Sequence, residues 1–395
     1  MTYTNRTATR GDHGAVPTEA TGAARPTRGK RPLIALLAAV MATLLVLASC
    51  SSEPEPEPTP TPTPTREYPY VERPSGLFWD SGVFGHDTDL TQGFADMRGR
   101  DLDVLGVSPT RGSWRSSYSD WWLTEDTIPK GFKGTLNVSL QLFPEGGSLE
   151  AAARGEYNSN FQHLGRMIAR EYPDAYVRPG WEFNIENWLW KATPENVGVW
   201  KEAFRQASIS LNKGGPDLRI VWNPNEGKGN SLPDATQAWP GDDVVDIVGL
   251  DAYDWSPPYD EKGWAEHKGK DQGWDFWAKF ARDHGKMFAL PEWGVIAGSE
   301  QSGGDNPKYI DYVMQWMVDN RDIMAFETYF EEPADYCKCA LTNMNPQARQ
   351  AYLDWMPKIT QMNKPTATPT PTPSGSPSVG SGNSSPATVA PSTAG

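Results

Sequence analysis

Two glutamates stand out by the company they keep. Glu182 lies in Arg178-Pro179-Gly180-Trp181-Glu182-Phe183-Asn184 and Glu292 in Pro291-Glu292-Trp293-Gly294. Each directly follows a short apolar run, and each touches a tryptophan in sequence. Aromatic surroundings strip water from a carboxyl, and desolvation raises its pKa toward the range useful for a general acid. Two such carboxyls facing one another can cleave a glycosidic bond, one protonating the leaving oxygen while the other attacks the anomeric carbon. The competing role is a plain ion pair with a buried cation such as Arg178. Finding the same arrangement twice favours the chemistry.

The elements that must position this pair follow from the hydrophobic pattern. Short apolar, β-branched or aromatic runs recur at 77–83, 103–107, 135–142, 175–178, 219–222, 245–250, 287–290 and 323–326, each ending in polar residues. Between them lie helical periods, such as Phe161, Leu164 and Ile168, or Tyr309, Tyr312, Val313 and Trp316. Strands alternating with helices predict a parallel sheet, and eight repeats predict a closed (β/α)8 TIM barrel of the α/β class, carried as one catalytic domain. An open doubly wound sheet would carry a Gly-rich phosphate turn after its first strand, and this chain has none there. In a barrel, functional residues sit at the C-terminal strand ends. Those ends hold Glu182 after the fourth run, Trp222-Asn223-Pro224-Asn225 after the fifth, Asp251 and Tyr253 after the sixth, Glu292 after the seventh and Tyr329 after the eighth.

Composition narrows the partners. Fifty acidic against 36 basic side chains give a formal net charge of −14, which argues against nucleic acid. Three Cys and five His are too few and too scattered for a metal cage, so no metal or cofactor is expected. All 17 Trp fall between Trp79 and Trp355, whereas prolines crowd both flanks, so one core lies between two low-complexity ends. The expected division is a leader over 1–50, a Pro/Glu/Thr-rich linker over 51–70, the barrel over 71–362 and a Pro/Ser/Thr-rich disordered tail over 363–395. A monomer is expected.

The leader has Arg28, Lys30 and Arg31, then an apolar stretch over 33–48 ending in Leu47-Ala48-Ser49-Cys50. That is the pattern of a secretory signal peptide, with an uncleaved signal anchor as the alternative. The Leu-Ala-Ser-Cys ending resembles a bacterial lipobox, which implies lipidation of Cys50 and an extracellular, membrane-anchored lipoprotein. The alternating prolines that follow favour extended polyproline II and can hold a domain about 50 Å from a membrane.

Three motifs together resemble glycoside hydrolase family 26. They are Arg-Pro-x-x-Glu-x-Asn after the fourth run, Val-Asp-Ile-Val-Gly-x-Asp-x-Tyr on the sixth and Pro-Glu-Trp-Gly on the seventh. The resemblance implies a retaining enzyme with Glu182 as acid/base, Glu292 as nucleophile and Tyr253 orienting the nucleophile. It implies a β-linked polysaccharide substrate, with endo-β-1,4-mannanase activity foremost and β-glucan or xylan as alternatives. A sugar-binding lipoprotein and a catalytically altered barrel are the competing readings. Members of the family usually carry His where this chain has Trp181, and the segment from Asn184 to Trp190 is one residue longer than usual.

Other aromatics divide by position. Trp316 and Trp355 sit in helical periods and are expected in the core. Trp79, Trp222, Trp293 and Tyr329 sit at strand ends and are read as sugar-stacking candidates, with Trp188 and Trp190 as a platform above the fourth strand. Trp255 and Trp264 are left open between packing and a distal subsite. Arg178, Trp181, Asn184 and Asp251 complete the substrate-binding set, Asp251 leaning toward a supporting role. Cys337-Lys338-Cys339 is read as a disulfide staple.

Overall fold

The computed structural model describes residues 73–363; the leader with Cys50, the whole linker and the tail beyond Asn363 lie outside them. Eight parallel strands close into a barrel in sequence order. They are β1 (Asp80–Phe84), β2 (Val104–Val107), β3 (Thr135–Leu140), β4 (Tyr176–Pro179), β5 (Arg219–Trp222), β6 (Ile247–Tyr253), β7 (Met287–Gly294) and β8 (Met324–Phe330). Each matches one apolar run, because parallel strands buried on both faces read as continuous hydrophobic stretches.

The outer layer comprises α1 (Thr88–Arg98), α2 (Trp114–Ser117), α3 (Leu149–Ala153), α4 (Asn158–Glu171), α5 (Val197–Gly214), α6 (Glu261–Gly269), α7 (Trp274–Asp283), α8 (Pro307–Asp319) and α9 (Pro346–Met362). The α4 stripe Phe161, Leu164 and Ile168 is buried as its period requires, and so are Trp316 on α8 and Trp355 on α9. Among the described residues no helix is long and apolar enough to cross a membrane.

Side chains alternate across each strand, one set filling the barrel and the other packing under the helices. Val104, Tyr176, Val221, Ile247, Ala289 and Phe326 form the inner cluster, with the Tyr176 and Phe326 rings stacked at 4.1 Å. Strict alternation from inward Ala289 would send Glu292 outward and Trp293 inward. The chain avoids this with an irregularity. Gly249 pairs with Ala289, but Asp251 pairs with Glu292, so β7 carries one extra residue. Pro291, which has no N–H for the ladder, falls in that bulge. Its carbonyl accepts hydrogen bonds from Asn137 Nδ2 at 3.0 Å and from Thr328 Oγ1. The bulge turns Glu292 toward the barrel mouth and leaves Trp293 outside.

Candidate active site

The other carboxyl is placed by a sharp exit from β4. Gly180 (φ 63°) and Glu182 (φ 50°) both take left-handed backbone, which Gly adopts freely and Glu at a cost on the order of 1 kcal/mol. The turn is fixed by hydrogen bonds from Gly180 N to Leu140 O and from Glu182 N to Asn223 O, both 2.7 Å. Phe183 then anchors the loop outside the sheet against Trp200 and Trp222, at 4.4 and 5.0 Å. Farther on, Gly229 lets the chain pass the carbonyl of Asn184; a Cβ there would sit 1.9 Å from that oxygen.

Glu182 and Glu292 line one cavity of about 330 Å³ at the barrel mouth. Their surroundings differ in kind. Glu182 accepts from Trp188 Nε1 at 2.9 Å and from Asn225 Nδ2 at 2.6 Å. Its pKa is nonetheless raised from 4.5 to about 7, first by burial and then by the negative charge of Glu292. Glu292 is held by donors on both oxygens: Arg178 Nη2 on Oε1 and Tyr253 OH on Oε2, the latter at 2.8 Å. Arg178 is fully buried and also donates to Asp251 Oδ2 at 2.8 Å and Asn223 Oδ1 at 3.0 Å. Burial and the neighbouring Glu292 push the Tyr253 phenol well above its usual range, so it stays a proton donor to the carboxylate. The pair therefore consists of one carboxyl disposed to carry a proton near neutrality and one that accepts hydrogen bonds from a cation and a phenol.

Trp181 and Trp188 line the same cavity, ring to ring at 4.8 Å, with the Arg111 guanidinium over both, 5.7 and 5.1 Å from their centroids. Several expected substrate contacts lie elsewhere. Trp190 is a buttress rather than a platform: it is 2% exposed, stacks behind Trp188 at 4.9 Å and donates to Trp181 O at 2.9 Å. Asn184 is buried and braces Asn225, accepting from its N–H at 2.8 Å and donating to its carbonyl at 2.9 Å. Arg178 is bonded to Glu292 and to Asp251 and lies, with Asp251, beneath the cavity. Neither lines it.

Four residues expected to stack on sugar, Trp79, Trp222, Trp293 and Tyr329, are instead fully buried in the main core. Trp79 precedes β1 and so lies toward the opposite end of the barrel from the cavity. Trp222 faces outward against Trp239, Trp277 and Phe280. Trp293 donates to Glu327 Oε2 at 2.6 Å on the helix side of the sheet. Tyr329 stacks on Phe94 of α1 and donates to Cys339 O at 2.8 Å. Of the aromatics left open, Trp264 packs on Tyr312 at 5.5 Å and Trp255 is 43% exposed; neither lines the cavity.

Other cavity residues escaped the sequence reading. Ser108 and Ser139 lie on the side of β2 and β3, and Phe84, His86, Phe330, Tyr336 and Cys337 on the side of β1 and β8. Asn225, which holds Glu182, carried a signal in Asn223-Pro224-Asn225, two amides directly after an apolar strand. Cys337 and Cys339 are bonded to each other, as the staple reading expected.

No protein-family profile matches the chain. Among solved structures, the catalytic domain of the GH26 endo-β-1,4-mannanase of Bacillus sp. JAMB-750 has a TM-score of 0.54 at 14% identity, covering 72% of this chain and 87% of that one. The modular endo-β-1,4-mannanase from Cellulomonas fimi has a TM-score of 0.50 at 20% identity, covering 68% and 70%. The chain thus shares the fold of the family-26 glycoside hydrolases. In sequence it resembles the β-1,3-xylanase TXYA of a Vibrio sp. and a β-1,3-xylanase of an Alcaligenes sp.. Each is 24% identical over 212 residues, 48% of this chain but only 42% and 41% of those proteins, so the match spans well under half of either relative.

Proposed function

We propose that this protein is a retaining glycoside hydrolase acting on a β-linked polysaccharide, with Glu182 as acid/base and Glu292 as nucleophile. The observation that carries the reading is the contrast within one cavity. Glu182 is raised to about 7 and can protonate a leaving oxygen, while Glu292 accepts a hydrogen bond on each oxygen, from Arg178 and from Tyr253. Glu292 attacks the anomeric carbon as the C–O bond breaks, and the proton of Glu182 passes to the departing oxygen. Forming the glycosyl ester removes the charge of Glu292. That charge is the second cause of the raised pKa of Glu182, so the pKa falls and Glu182 becomes the base that deprotonates the attacking water. The acid and base halves of the cycle thus follow from one electrostatic coupling.

For the substrate, the likeness to family-26 mannanases supports a β-1,4-mannan, and the β-1,3-xylanase relatives support a β-xylan as the second reading. Export and anchoring through Cys50 would place the enzyme outside the cell, in reach of such polymers. The experiment is hydrolysis of mannan, β-1,3-xylan, xylan and mixed-linkage glucan, with the first-formed anomer followed by proton NMR. Products of the β configuration support the reading, and α products would remove it. Glu292→Gly should be inactive, and azide should restore turnover as an α-glycosyl azide. A β-glycosyl azide from Glu182→Ala would be consistent with the roles given; the reverse products would exchange them.

A further inference from the structure

The cavity has a second wall that the catalytic pair does not use. It runs unbroken from the nucleophile outward. Tyr253, bonded to Glu292, meets Phe330 edge to face at 5.8 Å, and Phe330 meets His86 the same way at 5.9 Å. His86 Nε2 lies 2.8 Å from Glu332 Oε2, and the same oxygen accepts from Tyr336 OH at 3.1 Å. Glu332 is a buried hub, 6% exposed, whose other oxygen accepts from Ala334 N at 2.7 Å.

Tyr336 is the opposite: 66% exposed, yet fixed at both ends. Its hydroxyl is held by Glu332, and the next residue, Cys337, is bonded to Cys339. The Cys337 carbonyl also accepts from Ala297 N and Gly298 N at 3.1 and 3.2 Å, bracing this loop against the one after β7. A single exposed aromatic is ordinary on a protein surface. One that lines a cavity, is tethered by a buried carboxylate and sits on a disulfide-closed loop is preorganised to present its ring to a ligand.

We infer that Tyr336, with the free edge of His86, forms a subsite that binds an unsubstituted face of a pyranose ring on the glycone side of the scissile bond. This rests on the proposed hydrolase activity. The side follows from the chemistry. The aglycone departs with the proton of Glu182 and so lies toward Trp181 and Trp188, whereas the sugar joined to Glu292 continues toward β8 and β1. The ring of Tyr336 stacks on the next sugar, the apolar faces meeting as indole and phenol rings do with any flat C–H surface. Glu332 serves as a positioning residue with its oxygens already engaged.

The test is hydrolysis of β-1,4-mannohexaose, β-1,3-xylohexaose and a mixed-linkage glucohexaose, each labelled with 18O at the reducing end, by the parent, Tyr336→Ala and Tyr336→Phe. On the substrate the parent cleaves best, Tyr336→Ala should lose about tenfold in kcat/KM, mostly through KM, and change which bond is cut. Tyr336→Phe keeps the ring but loses its bond to Glu332, so it should fall between the parent and Tyr336→Ala. Unchanged KM and an unchanged cleavage position in Tyr336→Ala, with an active parent, would overturn the subsite alone. A parent inactive on every oligosaccharide would remove the hydrolase reading, and this one with it.

Discussion

Replacing Glu182 by Gln should remove a loss of stability that the parent suffers as pH rises, and should abolish hydrolysis. In the fold the Glu182 carboxyl titrates at about 7, whereas an unfolded chain leaves it at its ordinary 4.5. A raised folded pKa contributes its stability fully below 4.5 and loses it as pH rises through about 7. Above both values the parent carries a buried charge that the unfolded state holds more cheaply. At about 1.4 kcal/mol per pKa unit the difference comes to about 3 kcal/mol between pH 4 and pH 8. Gln cannot ionise, so this pH-dependent term vanishes in the variant. The amide also changes hydrogen bonding, because Trp188 and Asn225 both donate to the carboxylate and one donor would then face an NH2 group. That loss is the same at every pH, so the quantity to measure is a double difference. Urea unfolding of parent and Glu182→Gln at pH 4 and pH 8 supplies it, and the variant should gain about 3 kcal/mol on the parent across that range. A stability difference that does not move with pH, or moves in the parent's favour, would refute the placement of Glu182 as a buried acid.

Further outcomes follow from the same geometry. The alkaline limb of kcat/KM should fall near pH 7, where Glu182 loses its proton, and Trp188→Phe should move it upward by about one unit, since the indole N–H favours the ionised form; a pH–rate series on both proteins checks it, and a downward shift would contradict the contact. Arg178→Lys keeps a cation but loses the fork that serves Glu292 and Asp251 together, so kcat should drop by about 10²-fold with KM little changed, as steady-state kinetics would report. Trp181→His should alter the ranking of β-glycan substrates, because an apolar wall of the cavity becomes a polar contact; identical rankings for parent and variant, assayed side by side, would make Trp181 a packing residue only.

The strands were legible because burial on both faces writes a parallel strand as an apolar run, and all eight runs coincide with β1 to β8. Their polar ends were less so. Strands β6, β7 and β8 continue three or four residues past the runs that announced them, through Tyr253, Gly294 and Phe330. The chain changes chemistry there because Tyr253, Glu292 and Phe330 line the cavity, not because the strand has stopped. The face of each residue was harder still. Glu292 and Trp293 are adjacent, and only the bulge at Pro291 decides which enters the barrel; a proline within an apolar run hints at a bulge but does not give its sense. Position at a strand end is therefore not position in the site: Trp222, Trp293 and Tyr329 stand at such ends and are buried in the main core. Residues on the loops after β1 and β8, including His86 and Tyr336, follow no period at all, so nothing in the sequence marks them.

The same features explain why the loop after β4 holds so much aromatic surface. Glu182 combines left-handed backbone, burial and a nearby like charge, three conditions that each oppose folding. The segment cannot relieve them without giving up the raised pKa, because exposing the carboxyl or parting it from Glu292 would return it toward 4.5. The offset must come from groups that do not touch the proton. Phe183 locks the loop to Trp200 and Trp222 outside the sheet, while Trp190 ties Trp188 to the carbonyl of Trp181. Each buried aromatic supplies on the order of 2–3 kcal/mol, enough to hold one strained, protonatable residue in place. On this account the tryptophans of the loop divide by task, with Trp190 stabilising and Trp181 and Trp188 setting the environment of Glu182. Truncating Trp190 should therefore cost stability and only secondarily activity, whereas altering Trp188 should shift the pH profile of an otherwise well-folded protein.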